Sequence, residues 1–300
     1  MDETKYLVPE SLKEALSLVG ELGGRACLIA GGTDVVVKLK KGVDVAETLI
    51  DLSKLTELDY IRVTRDGLLE LGAGVSLWEV ERSSLILDKW KVLSLAAGQM
   101  ASPTVRRMAT AGGNICNAAP SADFVPALMV LGAYLTLSSL DRERTVPVEK
   151  FFLGPGRTAL EKGEMLTAIT VPAPAPHSGS VYLKQKRREG ADLAVSGVAA
   201  AVQVAGTPLG PGEAPQIREV KLALAAVAPV PLRARAAEDA LRGAAASTEL
   251  LARAGEIAAG ECSPLDDVRA SAWYRRKLIA TLTSRALGQA VEEALLERLS

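Results

Sequence analysis

The sequence has very few of the residues that most often bind metals or act as catalytic bases. Its single histidine, His177, stands in a proline-rich stretch, and its three cysteines, Cys27, Cys116 and Cys262, are far apart in the chain. Zinc sites and iron–sulfur clusters need closely spaced thiolates or imidazoles, and a Ser-His-Asp hydrolase needs an embedded histidine. The sequence therefore predicts no metal site and no catalytic triad. If the protein performs chemistry, a bound organic cofactor is expected to supply it.

Long apolar runs and an excess of positive charge are also lacking. No apolar run reaches the ~18 residues of a transmembrane helix, and the first residues, "MDETKYLVPES", lack the apolar core of a secretory signal. The net charge of −1 provides no basic surplus for neutralising phosphates of a nucleic acid. We therefore expect a cytoplasmic protein with no transmembrane segment and no nucleic-acid partner.

The chain is long and apolar enough for two domains, since it has 300 residues of which 48% are hydrophobic. The stretch "PAPAPHSGS", residues 172–180, is the best candidate for the boundary between them. After it come three strand-like runs and then three helical runs, the last from about residue 271 to 299. Strands followed by helices favour an α+β second domain.

Several shorter patterns predict individual elements of the first domain. The runs "ACLIA" and "TLIDLS" predict strands of a small β–α–β unit, and the apolar spacing over residues 85–97 predicts one helix. The pairs Ser11/Glu14 and Ser76/Glu79 have the spacing of capping boxes. Ser121 is a candidate cap for the helix that follows it.

The segment "LIAGGTDVVVKLK", residues 28–40, ends an apolar strand in two glycines. Gly31 and Gly32 allow several backbone N–H groups to point at one spot, which favours binding of an anion, and Thr33 adds a hydroxyl. Asp34 would have to turn away from a phosphate, toward a ribose or the loop amides. The alternative is a tight turn between two successive strands.

A second glycine pair follows about eighty residues later, in "TAGGNICNAAPSAD", residues 110–123. Gly112 and Gly113 would supply unobstructed amides, with the side chains of Thr110 and Asn114 beside them. Asp123 falls in the first turn of the next helix, where the helix dipole favours a carboxylate, and this alone would explain it. Two such motifs fit a diphosphate better than a single phosphate.

The usual nucleotide fingerprints are missing. There is no G-x-x-x-x-G-K-[ST] segment, which argues against a P-loop protein. "GAGVSL", residues 72–77, begins like a dinucleotide fingerprint, but Leu77 takes the place of the third glycine. The sequence therefore predicts a diphosphate site outside a Rossmann fold.

Taken together, the motifs resemble those of the FAD-binding medium subunit of molybdenum hydroxylases, the group of carbon monoxide dehydrogenase, xanthine dehydrogenase and aldehyde oxidoreductase. The resemblance rests on "AGGTDVVVKLK", "SPTVRRMATAGGNICNAAPSADFVPALMVLGA", "FFLGPGRTAL", "EMLTAITVP" and "YLKQKRREGADLAVSGVAAAV". It extends over nearly the whole chain, and in the C-terminal third it is one of pattern more than of motif.

This resemblance implies an α+β fold: a two-lobed FAD-binding fold of the vanillyl-alcohol oxidase type, followed by a C-terminal α+β domain. We expect residues 1–56 to form a small α/β lobe and residues 57–175 a larger antiparallel lobe. Residues 176–300 would form the C-terminal domain, a three-stranded antiparallel sheet with helices.

The resemblance also implies which residues bind FAD. The first loop would surround the diphosphate, and the second would complete the clamp. Asp123 would contact sugar-side hydroxyls, Leu166 would lie near the adenine and Lys184 near the flavin ring, unless Lys184 is a solvated strand residue. Met100 stands where some relatives carry an aromatic residue. The implied FAD-binding residues are Leu28, Ile29, Ala30, Gly31, Gly32, Thr33, Asp34, Val35, Met100, Thr110, Gly112, Gly113, Asn114, Asp123, Leu166 and Lys184.

The implied function is electron transfer within a heterotrimer. A molybdopterin large subunit would oxidise the substrate, and an iron–sulfur small subunit would pass electrons to FAD on this chain. The final acceptor would be NAD, a quinone or oxygen. Three cysteines cannot hold two clusters that need about eight thiolates, so clusters and molybdenum would lie on partners, and this chain would be inactive alone. Two alternatives remain: a stand-alone FAD-dependent oxidase or dehydrogenase, and a non-catalytic flavin-binding module.

Overall fold

The computed structural model describes residues 4–43, 46–205 and 214–296. The first elements are β1 (Lys5–Leu7), α1 (Leu12–Leu22), β2 (Ala26–Ile29), α2 (Val35–Lys40) and β3 (Thr48–Asp51). The strands form a parallel sheet in the order β1-β3-β2. The predicted β–α–β unit is thus present, and its helix is α2. Because the run after the glycine pair is helical, the alternative of a tight turn between two strands is wrong.

Helix α1 begins with only half of the predicted capping box. The Ser11 hydroxyl accepts from the Glu14 amide, but the Glu14 carboxylate accepts from the amide of Glu10 instead of that of Ser11. The helix ends at Gly23, whose φ of 53° is in the left-handed region.

A five-stranded antiparallel sheet forms the second part of the chain, in the order β4-β5-β10-β6-β7. Its strands are β4 (Ile61–Val63), β5 (Leu69–Gly72), β6 (Tyr134–Ser138), β7 (Glu143–Pro147) and β10 (Met165–Val171). A small hairpin, β8 (Phe152–Gly154) and β9 (Arg157–Thr158), lies between β7 and β10 in sequence.

Short helices connect β5 to β6 and carry the second glycine motif. They are α3 (Leu77–Arg82), α4 (Ser84–Lys89), α5 (Lys91–Gly98), α6 (Pro103–Met108), α7 (Ala111–Cys116) and α8 (Phe124–Leu131). The Ser76/Glu79 capping box is present at the start of α3. Ser121 does not cap α8; Asp123 occupies that position, with no side-chain cap bond.

The helix predicted over residues 85–97 is broken at Trp90. This residue leaves the helical conformation (φ −118°, ψ 37°) between α4 and α5. Its ring is 1% exposed, and its indole N–H donates to the carbonyl oxygen of Pro172 at 2.8 Å. The break therefore coincides with a buried indole whose N–H donor is satisfied.

The C-terminal region has four strands instead of the predicted three: β11 (Ser178–Gln185), β12 (Ser196–Ala205), β13 (Gln216–Ala225) and β14 (Leu232–Arg233). They pair antiparallel in chain order, and β14 is only two residues long. The sequence does not predict the fourth strand, because its pairing to β13 depends on a turn and not on an apolar run. Helices α9 (Arg235–Leu241), α10 (Thr248–Gly260) and α11 (Ala272–Leu296) follow.

Helix α11 was predicted to reach residue 299, and residues beyond 296 lie outside the described part. The stretch "GTPLGPGEAP", residues 206–215, whose composition predicts a hairpin loop between β12 and β13, also lies largely outside it. Among the described residues, no helix combines the length and apolarity needed to cross a bilayer.

The C-terminal region has a hydrophobic core of its own, and its sheet also contributes three residues to the core of the first part of the chain. Tyr182, Ala199 and Ala223 belong to the same buried cluster as Phe124 and Leu128 of helix α8. The C-terminal region therefore completes the packing around the second glycine motif, which immediately precedes α8.

Candidate functional site

A cleft of about 700 Å³ lies beside both glycine motifs. It is bounded by the loop after β2, the segments around α6 and α7, strand β10, and a short stretch between β11 and β12. Most of the predicted residues line it: Leu28, Ala30, Gly31, Gly32, Thr33, Asp34, Val35, Met100, Thr110, Gly112, Gly113, Asn114, Asp123 and Leu166. Ile29 and Lys184 are not part of its lining.

The first loop presents unpaired amides to this cleft. Within the described part of the chain, the N–H groups of residues 31–35 donate to no protein acceptor, although those of neighbouring residues do. Gly32 has a φ of 70°, a conformation that glycine adopts without strain. Successive free amides followed by the start of helix α2 form an anion-binding concavity.

The loop requires glycine at position 31 for a different reason, because this residue is in close contact with a neighbouring segment. A Cβ atom at this position would lie 1.6 Å from the carbonyl oxygen of Met108. The loop therefore lies directly against the backbone at the end of helix α6, and only glycine fits there.

The second motif is built differently from the prediction of two free amides. The Gly112 amide donates to the carbonyl oxygen of Ala73 at 2.8 Å, and the Gly113 amide donates to the Thr110 hydroxyl at 3.0 Å. Thr110 is the N-cap of helix α7, so these donors are used for capping and packing. The expectation of a second amide nest is wrong.

Asn114 supplies an unsatisfied polar atom at the cleft instead. Its Oδ1 atom is buried and has no hydrogen-bond partner among the described residues, while its Nδ2 contacts the Met100 sulfur at 3.2 Å. A buried acceptor without a partner is costly unless a ligand or water meets it. The geometry therefore points to a ligand group that donates to Asn114.

Asp123 and Lys184 form a buried ion pair. The Lys184 Nζ donates to Asp123 Oδ2 at 2.7 Å, and the Tyr182 hydroxyl donates to Asp123 Oδ1 at 2.7 Å. Burial raises the pKa of the Asp123 carboxyl, and the Lys184 ammonium opposes that shift. The pKa of Tyr182 is also raised, by burial and by the neighbouring carboxylate. With its side chain 1% exposed, Lys184 is not the solvated residue that the basic run around it suggested.

Several residues that line the cleft were not predicted from the sequence. Lys38 lies one turn into helix α2 and faces the cleft, a placement that recognition of the helix would have indicated. Residues 191–193, between β11 and β12, close the cleft from the C-terminal region, and no local pattern marks them. Cys116 also lines it, where burial raises the pKa of its thiol to about 12 and keeps it protonated.

The chemistry of the cleft suits an elongated anionic ligand that carries flat apolar rings. Free amides and Lys38 provide one polar end, and apolar side chains cover the walls: Leu28, Leu52, Leu58, Met165 and Leu166. The carboxylates of Asp34, Asp123 and Asp192 also line the cleft, and no histidine does among the described residues.

Comparisons with known families match both parts of the chain. Residues 2–174 match the model of the FAD binding domain in molybdopterin dehydrogenase. Residues 181–290 match the model of the CO dehydrogenase flavoprotein C-terminal domain.

Individual relatives are similar over nearly their full length. The chain is 32% identical to the xanthine dehydrogenase FAD-binding subunit of Escherichia coli O157:H7, covering 98% of each. It is 32% identical to the carbon monoxide dehydrogenase medium chain of Hydrogenophaga pseudoflava, covering 95% of this chain and 96% of that one. The solved carbon monoxide dehydrogenase of Hydrogenophaga pseudoflava superposes with a TM-score of 0.91 at 33% identity, over 97% of this chain and 98% of that one.

Proposed function

The chain belongs to the family of FAD-binding medium subunits of molybdopterin-dependent dehydrogenases, and from that premise we propose that it binds FAD in the described cleft and transfers electrons within a larger complex. The observation that carries the proposal is the row of unpaired amides at residues 31–35. They suit the FAD diphosphate, since each N–H can donate to a phosphoryl oxygen at low cost in reorganisation. Lys38 brings a positive charge to the same end of the cleft.

Most of the other predicted residues would contact the cofactor directly, and one would position the residues that do. Leu28 and Leu166 offer apolar surface to the rings of the cofactor, and Asn114 Oδ1 accepts from one of its hydroxyl or N–H groups. Asp123 keeps lone pairs for a sugar hydroxyl even with Tyr182 and Lys184 bound, because a carboxylate has about four acceptor sites.

Lys184 has a supporting role in this proposal. Its ammonium is turned to Asp123 and to the carbonyl oxygen of Gln99, at 2.7 and 3.0 Å, and it does not line the cleft. We assign it to positioning those two groups, in place of the flavin contact that the sequence suggested. Its charge is compensated by Asp123, so direct tuning of the flavin by Lys184 is expected to be small.

FAD in this position would accept electrons one at a time and release them in pairs. We propose that an iron–sulfur small subunit delivers the electrons, that a molybdopterin large subunit oxidises the substrate, and that NAD, a quinone or oxygen takes the electrons up. This chain contributes binding, orientation and exclusion of water. We also propose that the chain is inactive on substrate by itself, since the oxidation would take place on the large subunit, and that it acts in the cytoplasm.

Purification of the chain alone tests the proposal. We expect a yellow protein that holds FAD in a one-to-one ratio, does not turn over substrates, and supports turnover when co-expressed with iron–sulfur and molybdopterin subunits. A folded protein that takes up no FAD would refute the proposed cofactor role. Turnover of a substrate by the isolated chain would favour the stand-alone oxidase or dehydrogenase.

A further inference from the structure

The turn between helices α5 and α6 has an unusual backbone at the edge of the cleft. Met100 and Ala101 line the cleft, and Ala101 has a φ of 42°, in the left-handed region that residues with a Cβ rarely occupy. Such strain persists only where surrounding groups hold the backbone in place.

Cationic side chains hold the carbonyl groups of this turn. The carbonyl oxygen of Gln99 accepts from Lys184 Nζ at 3.0 Å, and that of Met100 accepts from Arg106 Nη1 at 2.9 Å. The carbonyl oxygen of Ala101 lies 3.4 Å from the same Arg106 nitrogen. Arg106 is 7% exposed and is not part of the cleft lining, so these carbonyl groups point into the protein.

The amides of the turn must then point the opposite way. In a trans peptide the C=O of one residue and the N–H of the next are directed oppositely. The N–H groups of Ala101 and Ser102 therefore point away from Arg106, which does not line the cleft, whereas Met100 and Ala101 do. Within the described part of the chain, neither donates a hydrogen bond, whereas the amides of Gln99 and Met100 bond to helix α5.

Glu81 of helix α3 keeps Arg106 in place. Its two carboxylate oxygens accept from Arg106 Nε at 2.8 Å and from Nη2 at 3.2 Å, a two-point contact that fixes the guanidinium plane. The carbonyl oxygen of Glu81 itself accepts from the Ser94 hydroxyl at 2.6 Å, which ties the helix to α5.

We propose that this turn, residues 99–102, holds the flavin ring of FAD, with the Ala101 and Ser102 N–H groups donating to a carbonyl oxygen on the pyrimidine edge of the ring. Arg106, braced by Glu81, is the positioning residue that keeps the two donors directed at the ring. This inference rests on the proposed FAD binding and adds which backbone element meets the electron-carrying part of the cofactor.

The charges around the turn favour a ring carbonyl over a phosphate. Arg106 is compensated by Glu81, and Lys184 by Asp123, so the turn offers neutral donors without a net positive charge. A phosphate is better served by the row of successive amides at residues 31–35. Donors at a ring carbonyl also bind more strongly once reduction places negative charge on the ring.

The test uses the full apo chain and compares FAD with ADP, which has the adenine and diphosphate but no flavin ring. For Arg106→Gln we expect FAD to bind about tenfold more weakly, equal to about 1.4 kcal/mol, while the ADP dissociation constant does not change. If the donors favour the reduced ring by the same tenfold, the two-electron potential of bound flavin falls by about 30 mV. The matched control is Arg107→Gln, an exposed neighbour whose guanidinium lies 4.4 Å from the centre of the Trp78 ring; it should change neither quantity.

The possible outcomes separate this inference from the proposed function. Wild-type protein that binds no FAD would refute FAD binding itself. An equal loss of FAD and ADP affinity, or an unchanged FAD affinity and potential, would refute the role of the turn alone. If Arg106→Gln does not fold, Glu81→Gln keeps the shape of the brace and should give a smaller loss for FAD and none for ADP; no loss for FAD would also overturn the proposal.

Discussion

At Gly31 a single hydrogen atom occupies the place where any other residue would have a Cβ atom. The loop lies directly against the carbonyl oxygen of Met108, so the first glycine motif and helix α6 restrict each other's position. Gly32 contributes differently, through its φ of 70°. The pair thus combines one steric and one conformational requirement, and both keep the amides of residues 31–35 turned to the cleft.

We expect Gly31→Ala to separate this loop from helix α6. The free energy of unfolding should fall by about 2 kcal/mol, the usual cost of overpacking, and FAD retention should be lost because the amides move. Denaturant unfolding and the flavin absorbance of the purified protein measure the two effects. Gly24→Ala is the control, since a Cβ there meets nothing within 4 Å; equal behaviour of both variants would contradict the steric argument.

Glu164 provides a prediction of pH dependence at the residue scale. The Arg144 guanidinium bonds both oxygens of this carboxylate at 2.7 Å and lowers its pKa from 4.5 to about 2. Because the folded-state pKa is depressed, the stabilisation is present above the unfolded value and is lost as the pH falls toward the folded value. We expect Glu164→Gln to cost about 2 kcal/mol at neutral pH, with the difference from wild type shrinking as the pH falls below about 4.5.

Urea unfolding at a series of pH values measures this difference. The control is Glu256→Gln, an exposed carboxylate on helix α10 that makes no ion pair among the described residues. A Glu164→Gln penalty that stays constant with pH would show that the lost contact is not electrostatic.

Among the helices, α3 links the sheet to the cleft, because its first residue follows the Ser76 cap and Glu81 near its end braces Arg106. The capping box satisfies amide donors that the helix itself cannot use. The N-cap of helix α4 is a serine as well, Ser83, but this side chain makes no cap bond. Ser76 is therefore expected to stabilise its helix more than Ser83 does, although both residues are serines.

Ser76→Ala should lower the free energy of unfolding by about 1 kcal/mol, the typical value of an N-cap bond. Ser83→Ala should change it by less than about 0.5 kcal/mol, as surface substitutions without such a feature do. Denaturant titration of both variants measures the difference. Equal losses would mean that the hydrogen bonds of the Ser76 box contribute nothing beyond the shape of the loop.

The whole molecule depends on packing between the C-terminal sheet and the cofactor-binding part. Tyr182 of β11 lies in the core beside helix α8, and its hydroxyl donates to Asp123 at the cleft. Arg233 adds an ion pair with Glu149 across the same junction, at 3.3 Å. The C-terminal region therefore stabilises the site, and it also contributes residues 191–193, which line the cleft.

We expect Tyr182→Phe to cost about 2 kcal/mol of unfolding free energy, because it leaves a buried carboxylate oxygen with one partner fewer. Tyr6→Phe removes a hydrogen bond of similar length, 2.6 Å to Asp51, from a residue that is 56% exposed. Water replaces that bond, so its loss should cost clearly less than the loss of the buried Tyr182 bond. Thermal or urea unfolding of the apo chain tests the contrast, and a Tyr182→Phe variant as stable as Tyr6→Phe would contradict it.

The sequence alone determined the family, the fold class and the cofactor type. Two glycine motifs at a characteristic separation and a set of later segments in order carried that identification, and the comparisons confirm it. Local signals were also sufficient for the Ser76 capping box and for strands β2, β3, β11, β12 and β13, because a cap and an apolar run depend on residues that are neighbours in the chain.

Only the tertiary structure decided which polar groups are free at the cleft. The Gly112 amide is taken by Ala73, Lys184 turns to Asp123, and residues 191–193 arrive from another region of the chain. The break at Trp90 likewise follows from a bond to Pro172. Whether a donor is available to a ligand depends on acceptors that are distant in sequence. A buried donor forms a hydrogen bond with the acceptor that the fold places beside it.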